Sequence, residues 1–352
     1  MKRLRGFLLL LLLAHATPSP ALKVQGLYEA EVPITDQSAA ARQQAVSGAL
    51  RLVLVKLAGD RNIPGVVSVA PLLAAAERYV QQFRYGEAMV PATEPGAAAR
   101  KESRLWVRFD EDALNRDLRD LGVPIWGRER PSTLLWLVIA DPAGRNWATA
   151  EEHGGYLSVI DARAAARGIP LLYPLFDLED AAALKTSDVW GGFPQPVLDA
   201  SRRYNADAIV AATLESPVPG IWEARWTAYV GDETLAWTGE GDIPESLLEE
   251  GMDGVADVLA ARYAGTHGAA EASDFDITVV DVESVDRYAR ALKYLQSLNS
   301  VADVQVAAVR EGTVRFSLRV HGGEAALAQA VALGRTLERV SGAESATYRL
   351  LP

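Results

Sequence analysis

Six consecutive apolar residues, Leu134, Leu135, Trp136, Leu137, Val138 and Ile139, leave no polar face for water. A strand sends alternate side chains to opposite faces, so such a run needs cover on both, the setting of a parallel strand between two helical layers. The following residues continue that theme. A helix is predicted over about 155–167, closed by Gly168, then a second buried strand over 169–173. A helix over about 195–204 and a strand over 208–213 complete β-α-β-α-β, the opening of a doubly wound α/β domain. A hairpin follows, Ile221–Val230 and 233–240 about a Gly231-Asp232 turn, and a helix over Pro244–Tyr263 packs back.

This central domain is expected to span 126–264, between two others. The segment 22–125 reads as an N-terminal α+β domain. A loose strand over 23–32 leads to a long helix capped by Asp36 or Ser38, whose Val46, Leu50, Val53, Leu54 and Leu57 make one apolar stripe before Gly59 ends it. A helix over 69–76, strands over 79–85 and 105–109 joined by a loop over 92–101, and a helix capped by Asp110 complete it. A Gly- and Ala-rich linker is expected over 265–273. The last segment, 274–352, carries a strand over 277–282, a helix capped by Ser284 and two strands turning at Glu311-Gly312. A helix bearing Leu327, Val331, Gly334 and Leu337 precedes a final strand near 347–351. That β-α-β-β-α-β order is ferredoxin-like.

The chain's address is predicted from residues 1–21: Lys2, Arg3 and Arg5 precede the apolar run from Phe7 to Leu13, as in a secretory signal. That run is too short for a spanning anchor, which needs about 20 apolar residues. Cleavage after Ala16 or Ala21 would leave an exported protein without an integral membrane segment, and with no cysteine in its 352 residues it is not a lipoprotein. Without the leader, 32 basic residues face 46 acidic ones, a net charge of −14 that repels nucleic acid. A periplasmic or secreted location follows as an expectation.

Catalytic motifs are missing from the sequence. No HExxH, GxSxG, SxxK, Walker loop or GxGxxG occurs, and no histidine pair has metal-ligand spacing. No metal or cofactor is expected. In an open α/β sheet, ligands sit outside the carboxyl ends of the strands, and here those ends carry Asp141, then Asp177, Glu179 and Asp180, then Glu215. These acids have two roles open to them: binding a cation or a basic or polyhydroxyl ligand, or capping helices and pairing with Arg167, Arg202 or Arg203. Trp222 and Trp226 share a strand face, whereas Trp126 and Trp190 each abut a glycine in a loop, where recognition residues concentrate.

The combination of Trp126-Gly127, Arg130-Pro131 leading to Trp136, Arg167-Gly168-Ile169-Pro170, Pro174-Leu175, Asp177-Leu178-Glu179-Asp180, Trp190-Gly191 and Ala200-Ser201-Arg202-Arg203-Tyr204 with Asp207 resembles a proteobacterial exported family. That family is catalogued as a domain of unknown function, number two thousand and sixty-six; it implies export and architecture but no mechanism. By topology alone, the domains are also similar to envelope docking domains of the Tol–Pal translocation protein and of penicillin-binding-protein activators. The expected function is a non-catalytic periplasmic scaffold or envelope-assembly factor. It would hold a protein or glycan partner through Trp126, Arg130, Asp177, Asp180, Trp190 and Arg203. The alternative is a hydrolase of envelope polysaccharide using two carboxyls among Asp177, Glu179, Asp180 and Glu215.

Overall fold

The computed structural model describes residues 24, 26–90, 100–142, 144–264, 272–298, 300–334, 336–343 and 346–352. The predicted leader lies outside them, as do residues 92–99 of the expected loop and 265–271 of the expected linker; Ala272 and Ser273 already belong to a strand. Among the described residues no helix is long and apolar enough to cross a membrane. The described residues form a mixed α/β protein of three sheets.

The first sheet is antiparallel, in the order β1 (Glu29–Pro33), β3 (Arg100–Phe109), β2 (Val80–Val90). Helix α1 (Ala39–Ala58) lays the predicted stripe of Val46, Leu50, Val53, Leu54 and Leu57 against it. Ser38 Oγ accepts from the Ala41 N–H, and Gly59, at φ 72°, donates its N–H to Val55 O. β1 starts later than expected because Gly26 turns the chain at φ 72° and its carbonyl accepts from Glu29 N–H. The helix expected over 69–76 is one turn, α2 (Ala70–Ala74), between 3-10 turns, with Pro71 limiting it to a helix start. Asp110 caps α3 (Glu111–Asp120) by accepting from Ala113 N–H.

In the second sheet β4 (Thr133–Asp141) lies between parallel neighbours, β7 (Ala208–Val218) and the two-residue β6 (Leu171–Leu172), giving the expected parallel core. Pro170 and Pro174 bracket β6 and withhold ladder donors, which keeps it short. Leu135, Leu137 and Ile139 join the core under α4 (Ala150–Arg167) and α8 (Pro244–Tyr263). Leu134, Trp136 and Val138 join the opposite core with α6 (Thr186–Trp190) and α7 (Pro194–Ser201). The short α5 (Leu178–Ala183) follows β6. β5 (Gly144–Trp147), which the sequence did not suggest, pairs with the far half of β4. On the other edge come β8 (Ile221–Val230) and β9 (Glu233–Gly241), the predicted hairpin. Trp226 and Trp237 stack across it, ring centroids 6.3 Å apart, and α8 meets them with Gly251 and Gly254.

The third sheet runs β11 (Val301–Arg310), β12 (Thr313–His321), β10 (Ala272–Val280), β14 (Thr347–Leu350), β13 (Leu337–Arg339), with α9 (Val285–Ser297) and α10 (Gly323–Leu333) over it. Five elements follow the ferredoxin-like order, and then the end differs in detail. α10 stops at Leu333, with Gly334 N–H bonded to Ala330 O, so Leu337 lies in an extra strand rather than in the helix. That strand turns back at Gly342, φ 80°, and β14 consequently runs parallel to β10.

Candidate functional site

The six residues expected to bind a partner fall into separate places. Trp126 and Arg130 lie in the joint between the first and central domains, 2% and 3% exposed. The Arg130 guanidinium sits 3.9 Å from the Trp126 ring centroid and donates to the carbonyls of Gly127 (2.8 Å), Trp126 (3.0 Å) and Lys56 (2.6 Å). Burial pushes it down to about 9, which still leaves a cation at neutral pH. Beside it, Arg167 donates to Asp253 Oδ1 and Asp257 Oδ1, both at 2.6 Å, and to Gly59 O at 2.9 Å. Arg163 and Arg61 complete the ring around Asp253. Apart from the Trp126 Nε1–H and the Arg167 Nε–H, which have no acceptor among the described residues, these groups are occupied by the protein itself. The sequence had offered Arg167 to the strand-end acids; the structure pairs it with α8.

Asp177, Asp180 and Arg203 do come together, where the loop that leaves β6 enters α5 and the 3-10 turn after α7 brings Arg203 to it. Asp177 caps α5, its Oδ1 accepting from the N–H groups of Glu179 and Asp180 at 3.1 and 3.0 Å. Arg203 grips the same carboxylate with two nitrogens, at 2.7 and 2.8 Å. Those bonds hold the Asp177 carboxyl well below the usual carboxylate range. Asp180 is buried and accepts from Phe176 N–H (2.8 Å), Tyr204 Oη (2.5 Å) and Arg203 (3.1 Å). Burial and then the bond to Asp180 push the Tyr204 hydroxyl up to about 12. Every bond here serves to hold the loop in one shape, with Phe176 at φ 52°.

Trp190 ends α6 near the carboxyl ends of β4 and β7. Its ring has Arg145 of β5 4.0 Å from the centroid and Arg225 of β8 at 5.2 Å. Arg225 is oriented by Thr213 Oγ1 (3.2 Å) and Glu215 (3.5 Å). Leu175 and Leu178, which follow β6, and Phe193, just beyond α6, are exposed at 69%, 90% and 58%. A half-buried indole between two guanidiniums suits stacking and hydrogen bonding to a flat or extended partner. Sequence reasoning missed Arg145 and Arg225; their one signal was position, each on a strand leading to or from the strand-end rim. Among the described residues no group of three or more His, Asp or Glu is arranged to hold a metal ion.

A family profile described as a domain of unknown function (DUF8605) matches residues 21–127, the stretch containing the first sheet and α1 to α3. It is not the family that the central-domain residues had suggested, and nothing supports the likeness to the Tol–Pal protein. No curated protein matches the chain.

Proposed function

We propose that this chain is an exported, non-catalytic binding protein of the cell envelope, which captures a protein or glycan partner on the strand-end face of its central domain. The observation that carries this is Trp190 set between Arg145 and Arg225, with Phe193 exposed three residues further on and Leu175 and Leu178 exposed in the loop that leaves β6. The Asp177–Arg203–Asp180–Tyr204 lattice supports the rim as a rigid base, which lowers the entropic cost of binding. Export rests on the basic-then-apolar leader, and the resemblance of the central domain to an exported family belongs to the same proposal. The hydrolase alternative has less support, because a general acid needs a raised pKa and Arg203 moves Asp177 the other way.

The test places a photo-crosslinking amino acid at Leu178 or Phe193 in living cells, with Val285 of the third domain, 80% exposed, as the control position. A discrete adduct from the first two positions alone, lost on Trp190→Ala and Arg225→Ala, is the expected result. Equal adducts from Val285, or adducts indifferent to both substitutions, would refute the assigned face.

A further inference from the structure

The first sheet ends, among the described residues, in an unpaired strand edge. On one side β1 faces Ala165, Gly168, Ile169 and Pro170 of the central domain across a cleft. On the other side β2, eleven residues long, pairs only with β3. The direction of each backbone group follows from the ladder. Phe109 N–H bonds Tyr28 O and Ile34 N–H bonds Ser103 O, so the odd-numbered residues of β3 address β1, while Arg104, Trp106 and Arg108 address β2. Their partners there are Gly86, Arg84 and Gln82. The N–H and C=O groups of Phe83, Tyr85, Glu87 and Met89 therefore point away from the sheet, and no described residue bonds them. Proteins blunt such edges by shortness, bulges, proline, lysine or other charges. The other two sheets do so: β5 and β13 have four and three residues, β11 is broken by two register shifts, and β9 carries Glu233 and Glu240 near its ends. β2 has a single shift, at its start between Val80 and Gln82, with no proline and no lysine. Phe83 and Met89 stand 44% and 61% exposed beside the open edge.

We propose that two copies of the chain join along this edge, β2 against β2 antiparallel about a two-fold axis, so that two three-stranded sheets become one of six strands. The sequence of β2 supports a second copy as the occupant and sets the register. A two-fold axis normal to the sheet keeps each side chain on its own face, and outward groups bond only to outward groups, so the axis must fall on a residue. An axis at Arg84 or Glu87 sets like charges opposite each other, and one at Tyr85 sets Phe83 against Glu87. Axes nearer either end pair fewer of the outward residues. An axis at Gly86 pairs all four: Phe83 lies opposite Met89 of the other copy, apolar against apolar, and Tyr85 opposite its Glu87, a phenol against a carboxylate. Arg84 then faces Ala88, and the axis passes through a glycine around which a Cβ would meet nothing within 4 Å. The two criteria, charge and completeness of pairing, select the same register. The inference is independent of the rim around Trp190.

The test uses the full chain after its leader, by sedimentation velocity over a concentration series and by disulfide trapping, which a chain without cysteine reads cleanly. Opposite residues of a non-hydrogen-bonded antiparallel pair have Cα atoms about 4.5 Å apart, within the span of a disulfide, so Gly86→Cys should be trapped as a covalent dimer under mild oxidation. Gln82→Cys is the control, because in this register the two copies of position 82 lie about 27 Å apart along the strands. Tyr85→Pro removes an outward N–H that the β2–β3 ladder does not use, and should weaken association at least tenfold. Met89→Lys, at an exposed position of the single copy, should weaken it too and carries the test should the proline variant not fold. A reversible dimer that weakens in these variants, with trapping confined to Gly86→Cys, is the expected result. A monomer at every concentration up to hundreds of micromolar, equal trapping of Gln82→Cys, or association indifferent to the edge substitutions would each overturn the proposal.

Discussion

Asp253 is the residue on which the joint between the first two domains turns. Its side chain is 3% exposed and receives Arg61, Arg163 and Arg167. Desolvation alone would raise its carboxyl, but the hydrogen bonds and charges of Arg163 and Arg167 outweigh that and hold it below its ordinary value. Removing it leaves Arg167, itself 2% exposed, as a buried cation with only Asp257 nearby. Asp253→Ala should therefore cost about 3–5 kcal/mol in urea denaturation. A carboxyl depressed in the folded state contributes stability above its unfolded pKa, near 4, and loses it as pH falls through the folded value. Stability of the parent should accordingly fall more steeply below about pH 4 than that of Asp253→Asn. None of this was legible from local pattern: Arg167 and Asp253 are 86 positions apart and each sits in an ordinary helical stretch. By contrast the caps at Gly59 and Asp110 were read correctly, and of the two N-caps offered for α1, Asp36 and Ser38, the structure uses Ser38, because a cap answers to neighbours within four residues.

Helices α1 and α8 are each 20 residues long and each contains glycine within the helix, for opposite reasons. Around Gly48 a Cβ would meet nothing within 4 Å, whereas at Gly251 it would lie 2.0 Å from the Trp226 ring. Gly48→Ala should gain up to about 1 kcal/mol by restricting the unfolded chain. Gly251→Ala should lose about 1–3 kcal/mol by forcing the stacked Trp226–Trp237 pair off α8, and thermal melting of the two variants should show shifts of opposite sign. The bounds of α8 and of the β8–β9 hairpin agree with the periodicity and turn residues. β5 and β13 escaped notice because strands of four and three residues carry too few alternations to form a pattern, and only pairing with a longer neighbour makes them strands.

At the scale of the molecule, the first and central domains share a polar joint in which Arg130 and Arg167 bind the carbonyls of Lys56 and Gly59 at the end of α1. Such charge-assisted bonds across a boundary couple the unfolding of both sides. Calorimetry should show these domains melting together in the parent, and Arg167→Met should split off an earlier transition; an unaltered single transition in that variant would show the joint to be carried by other contacts. The sequence by itself determined the α/β class, the buried parallel strand β4 and the order of the long elements, since periodicity, caps and turns act over a few residues. Only the tertiary structure decided that Trp126 and Arg130 are joint residues while Trp190 lies on the strand-end rim. It also decided which acids Arg167 and Arg203 neutralise. Burial and pairing are properties of surfaces brought together from distant parts of the chain; Trp126 and Trp190 each precede a glycine and were both expected in loops, yet Trp190 ends a helix and only the fold tells the two apart.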